Sequence, residues 1–265
     1  DLAERAGLAL SAITRMLDVE NDYQLYADAK FNRRPPVLVE CFAVPGCGAK
    51  HLEAMPLLRM ICGSQTNIEV DKGFMECLLG RTGDDGCVYT PLTALANPEF
   101  GPLPMKEPFA DIMGEGRLIL AMCMWHQRDQ NPLWPELIEK KIKRLSALAV
   151  QEDDYVYYPR KENYLLCNYF TRSEKGPLAP EREGIVSHIW TPKDVNSHGI
   201  SFMAARSMCM YYRLTGHQPA LDLAGKIVRG TMKRTPGFAE DGRWLINHFH
   251  TSAASLLAML EYALI

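Results

Sequence analysis

The chain has 265 residues, 47% of them hydrophobic and 23% charged, and a net charge of −3. That balance is ordinary for a globular protein, and we read residues 1–265 as one domain. Nothing in that charge suggests a nucleic-acid or membrane-surface binder, either of which would want a basic face, and no apolar run is long enough to span a bilayer.

Helical periodicity predicts eight helices in chain order: 1–17, 49–62, 68–81, 109–127, 133–150, 198–215, 219–234 and 248–265. No series of strands competes with them. The connections alternate in length. The links 63–67, 128–132 and 216–218 are short, whereas 18–48, 82–108, 151–197 and 235–247 are longer. Short links join antiparallel neighbours, and long loops without helices of their own are usually functional. With the short links at one end of the helices, the long loops gather at the other. These loops also open alike, with an acid followed by an aromatic: "NDYQLY", "DDGCVY", "DDYVYY" and "EDGRWL". The recurrence reads as a weak internal repeat of helix, short strand-like segment, loop and helix, although acid-Gly-aromatic is also common turn chemistry.

The second, fourth, sixth and eighth helices are the more apolar, with "LILAMCMW", "SFMAARSMCMYY" and "ASLLAMLEYALI" nearly apolar all round. The fifth, "ELIEKKIKRLSAL", has a strongly charged face. The expected order is therefore outer, inner, outer, inner, giving helical hairpins around an axis.

Eight cysteines without a CxxC pair do not form a disulfide framework. Cys62, Cys77, Cys123 and Cys209 fall in apolar helical runs, where a thiol packs as a small hydrophobe. Cys41 and Cys47 are the one close loop pair. Free thiols favour a cytoplasmic setting. The sequence begins at Asp1 with no signal-like run, which points to trimming or processing and leaves the periplasm or secretion open.

The alternating loops, the hairpin "YYRLTGHQPALDLAGKIV" (211–228) and the ending "HFHTSAASLLAMLEYALI" together resemble the six-hairpin glycosidase superfamily. The resemblance implies an all-α fold, an (α/α) toroid of helical hairpins, here incomplete with about eight of twelve helices. It implies a cleft at the N-terminal ends of the inner helices. It also implies carbohydrate chemistry on an oligosaccharide or polysaccharide fragment, with uronic-acid-containing substrates among those the superfamily accepts. A polysaccharide lyase on the same kind of toroid, or a non-catalytic helical-repeat binding module, stands as the alternative.

The long-loop face offers the candidate residues. Glycoside hydrolysis uses two carboxyl groups, one of them a protonated acid whose pKa an apolar setting raises. Glu40, the lone acid in "PPVLVECFAVPG", is the expected general acid, and Asp85 the expected second carboxyl. His198 and His250 begin inner helices and are expected in the catalytic set as neutral imidazoles, with His248 beside them. The positive end of a helix dipole disfavours imidazolium. Arg34 could hold a uronate carboxylate bidentately. Tyr89 and Trp190 could stack on sugar faces, with His188 and Asp194 contacting hydroxyls. Each also has a plainer reading as a cap, a turn residue or a packing group. The histidine cluster could alternatively hold zinc. We expect no metal or other cofactor, since no phosphate loop, nucleophile elbow or His-Glu-x-x-His is present. The sequence leaves the oligomeric state open.

Overall fold

The computed structural model describes residues 1–25, 28–31, 34–39, 48–90, 107–159, 169–178, 202–234, 241 and 249–265. The helices among them are α1 (Leu2–Arg15), α2 (Gly48–Cys62), α3 (Ile68–Gly80), α4 (Ile112–Asp129), α5 (Leu133–Leu148), α6 (Phe202–Thr215), α7 (Gln218–Arg234) and α8 (Phe249–Ala263). They coincide with the eight expected segments, and the fold is all-α.

The connections carry short strands: β1 (Leu17–Asp18), β2 (Gln24–Leu25), β3 (Asp28–Lys30), β4 (Val37–Val39), β5 (Phe109–Asp111), β6 (Val150–Gln151), β7 (Val156–Tyr157) and β8 (Tyr169–Thr171), with β2 and β7 falling in the expected strand-like segments. They pair antiparallel as β1–β2, β3–β4, β5–β8 and β6–β7. Runs of two or three residues are too short for a two-residue alternation to register. One of them corrects a helix start. Residues 109–111 are β5, and α4 begins at Ile112 because Asp111, in extended conformation, caps it by accepting the Gly114 N–H at 2.6 Å.

The inner row runs α1, α2, α4, α6, α8, each helix packed on the next. Neighbouring contacts show that these helices are parallel. Gly116 of α4 meets Ala204 of α6 near both N-termini. Arg213 of α6 pairs with Glu261 of α8 near both C-termini. Asn67, in the short link after α2, donates to Thr14 Oγ1 at the C-terminal end of α1 at 2.9 Å.

That last contact corrects the expected order. The α1 helix runs parallel to α2 and belongs to the inner row, not outside it. The return path an outer helix would make is taken by the irregular segment after α1. Tyr23 there stacks on Phe74 of α3 with ring centroids 6.0 Å apart, and Asp22 pairs with Arg81 at 3.2 Å.

The outer members α5 and α7 run back along α4 and α6. The α4 helix, covered on both flanks and by α5, buries most of its residues. The two ends of the row do not. The α1 helix buries only the stripe Ala6, Leu10 and Thr14, and α8 leaves Leu256, Leu257, Leu260 and Leu264 exposed. The architecture is thus an open arc of an (α/α) toroid. No helix among the described residues is long and apolar enough to cross a membrane.

At the short-link end, Arg59 of α2 is buried and donates to the carbonyls of Ser64, Thr66 and Asn67. It also forms a two-pronged pair with Asp71 at 2.6 and 2.7 Å. One side chain therefore satisfies the backbone of the tight link between α2 and α3. Trp125 of α4 donates to Leu52 O, in the second turn of α2, at 2.9 Å. That carbonyl needs an outside donor because Pro56, four residues on, has no N–H.

Candidate functional site

Described parts of the second and third long loops meet over the N-terminal end of α4, whereas the segment after α1 begins at the short-link end. Strand β5, at the end of the second loop, pairs with β8 in the third, and Thr90 exchanges backbone hydrogen bonds with Phe109. A buried ionic network holds this rim. Glu115 Oε1 accepts the Val88 N–H at 2.9 Å, and Oε2 accepts from Lys141 of α5. Lys141 also donates to Gly86 O at 2.7 Å. Both charged side chains have no solvent exposure. Burial pushes the Glu115 carboxyl up to about 7 against the opposing pull of Lys141. Gly86 is left-handed (φ 79°), and a Cβ there would fall 2.6 Å from Leu137 O, so the turn needs glycine.

Asp85 and Tyr89 belong to this network, which corrects their expected roles. Asp85 Oδ1 accepts the Cys87 N–H at 3.1 Å, and Oδ2 accepts the Tyr89 hydroxyl at 2.7 Å. Arg144 Nε lies 3.1 Å from Oδ2, close enough for an ion pair though poorly aligned for a hydrogen bond. With both oxygens engaged, Asp85 fastens the turn. Tyr89 is 2% exposed, edge-on to Phe170 and beneath Arg172. A ring so enclosed has no free face for a sugar. Arg144 also donates to Thr171 O, tying α5 to β8.

Of the other expected site residues, Arg34 is exposed and near the start of β4. The backbone of His250 lies in the first turn of α8. Glu40, His188, Trp190, Asp194, His198 and His248 lie outside the described residues, as do Cys41 and Cys47. Cys62, Cys77, Cys87, Cys123 and Cys209 are free thiols. Burial pushes Cys123 up to about 12 and Cys209 up to about 11, so neither is a nucleophile.

The arc also brings together three charged residues that the sequence reading passed over. Glu115 faces α5, on the outer side. Arg117, two residues on, is turned about 200° from it and therefore faces the concave side. Glu53 of α2 and Arg206 of α6 flank it, all three half-buried. Desolvation raises the Glu53 carboxyl, and Arg206 and then Arg117 pull it back down. Because α2 and α6 lie on opposite sides of α4, a carboxyl on one that senses a guanidinium on the other does so across the concave face. Each residue sits in the second turn of its helix, at the long-loop end. Arg117 Nε is also 3.2 Å from Met203 Sδ on α6.

A signal for this trio existed. Each residue is one of few charges in an otherwise apolar stretch: "HLEAMPLL", "MGEGRLIL" and "FMAARSMCM". The apolar character of these helices was legible; that their few charges share one face was not.

Against known proteins, the chain matches no family profile and none of the curated proteins. Among solved structures it is similar to a glycoside hydrolase family 76 mannosidase from Bacteroides thetaiotaomicron VPI-5482. The two share 13% identity at a TM-score of 0.49, over 82% of this chain and 52% of that one. This chain thus spans about half the length of that structure. A likeness at this level transfers no residue role.

Proposed function

We propose that the chain is a glycoside hydrolase acting on an oligosaccharide, with a uronic-acid-containing one as the narrower form of that substrate. The observation that supports it is Glu53: a half-buried carboxyl in the second turn of α2, raised by desolvation, with Arg206 and Arg117 acting on it from the neighbouring inner helices. A carboxyl whose pKa desolvation raises suits the general acid of glycoside hydrolysis, which protonates the leaving oxygen.

The reaction needs a second carboxyl. Asp85 is fastened to Tyr89 and Cys87, so Glu40, just past β4, is the better partner. In this reading His198 and His250 complete the catalytic set. Arg34, His188, Trp190, Asp194 and His248 contact substrate hydroxyls and faces.

Incubation with a panel of neutral and acidic oligosaccharides, reading new reducing ends, tests the proposal. Glu53→Gln should lower turnover by roughly 10²–10⁴-fold with the circular dichroism spectrum unchanged. Near-parental turnover in that variant would remove Glu53 from the chemistry. The arginine pair favours a second reading, a polysaccharide lyase that neutralises a uronate before eliminating across its ring. Elimination would leave an unsaturated sugar absorbing in the ultraviolet, which hydrolysis does not produce.

A further inference from the structure

The two ends of the inner row are built differently. At one end, α1 buries the stripe Ala6, Leu10 and Thr14 and turns its opposite side to solvent, where Leu8 stands among exposed Glu4, Arg5 and Arg15. A charged outer face of this kind suits a helix that ends a stacked row. At the other end, α8 exposes Leu256, Leu257, Leu260 and Leu264 by 37% to 68%. At 3.6 residues per turn these four share a stripe about 100° wide. No charge interrupts it. Apart from His250 in the first turn, Glu261 is the one acidic or basic residue of α8. Arg213 of α6 pairs with its carboxylate and donates to its carbonyl at 3.1 Å.

Covering those leucines takes a surface that is apolar, uncharged and as long as the stripe. Among the described helices, the other exposed large apolar side chains stand singly or in pairs, Met232 on α7 and Met60 with Ile61 on α2, or among charges, as on α1. The complement this molecule offers to the α8 stripe is therefore the α8 stripe.

We propose that two copies of the chain pair through α8 about a two-fold axis near Leu260, with the two helices antiparallel. A two-fold contact sets one patch against itself, so Leu257 of one copy meets Leu264 of the second. With Glu261 neutralised inside its own copy, no like charges meet across the axis. A contiguous apolar patch larger than single side chains is what marks such an interface. The pairing is independent of the hydrolase reading.

Sedimentation equilibrium of the unmodified chain from about 1 to 100 μM, the range of moderate to weak association, tests it. The mass should climb toward twice the 29.9 kDa of one chain. It should do so equally in about 1 M salt, which screens charges and leaves apolar contacts. Leu260→Glu and Leu260→Lys, at a position 55% exposed, should keep the parental circular dichroism spectrum. Each should weaken pairing about tenfold or more, because it sets like charges at the axis. Mixed one to one, the two variants should recover dimers, since their charges are then opposite. Leu8→Glu on α1 should change nothing.

A chain that stays at 29.9 kDa throughout overturns the proposal. So do dimers that survive Leu260→Glu, and a mixture of the two charged variants that stays monomeric. Dimers that Leu8→Glu disrupts also overturn it, because they would put α1 of the second copy on α8.

Discussion

Gly116 of α4 and Ala204 of α6 sit so close that a Cβ on Gly116 would come within 2.6 Å of Ala204 Cα and 2.7 Å of its nitrogen. Backbone atoms cannot swing aside as the tip of a side chain can. Gly116→Ala should therefore force the two inner helices apart and cost about 1–3 kcal/mol in urea unfolding. Gly7→Ala is the control. Gly7 lies within α1 with nothing within 4 Å of the added methyl, so alanine there should stabilise by about 0.5–1 kcal/mol.

Trp125 supplies the donor that Pro56 denies to Leu52 O. Trp125→Phe leaves that carbonyl unpaired in the interior and should cost about 1–3 kcal/mol for the lost partner, beyond the packing lost with the smaller ring. Pro56→Ala restores a helical N–H to the same carbonyl. In the Trp125→Phe background it should recover part of the loss, read as the coupling in a double-mutant cycle. Full additivity would show that Leu52 O does not depend on the indole.

The Glu115–Lys141 pair should make stability fall with rising pH. Burial raises the Glu115 carboxyl from 4.5 to about 7. Between those values the folded chain holds a proton that the unfolded chain has released, so stability declines as pH rises and levels off above about 7. Replacing both residues, as Glu115→Gln with Lys141→Met, should flatten this part of the stability curve. Lys141→Met alone leaves a buried acid without its partner and should cost about 3–5 kcal/mol near neutral pH. Denaturant midpoints measured from pH 4 to 8 report all three.

The pH dependence of turnover should show Glu53 as an acid. Its protonated form is the active one, so kcat/KM should fall as pH rises through its raised pKa. Arg206 lowers that pKa, so Arg206→Gln should move the descending limb to higher pH. A limb that stays in place would show that Arg206 does not act on the titrating group.

The eight helices and their short links were legible from the sequence. Local periodicity and the lengths of connections carry that information directly. The links at 63–67 and 216–217 joined antiparallel neighbours as expected, because so few residues cannot reach anything else. The pairing of the strands in the long loops was not legible. Pairs such as β5–β8 depend on partners far apart in the chain, and each run is too short to show a pattern. Nor was the place of α1 in the inner row, which depends on where its C-terminal end lies relative to Asn67.

The site divides in the same way. The sequence located the loop end of the arc but chose its residues from the loops, where Asp85 and Tyr89 proved to be spent on holding the rim. What only the tertiary structure decided was that Glu53, Arg117 and Arg206 share one surface. They are separated by 64 and 89 positions in the chain. A lone charge in an apolar helix reads alike whether it faces a neighbour or a cavity. Its direction is fixed by which side of the helix its neighbours cover, and that is a property of the assembled row.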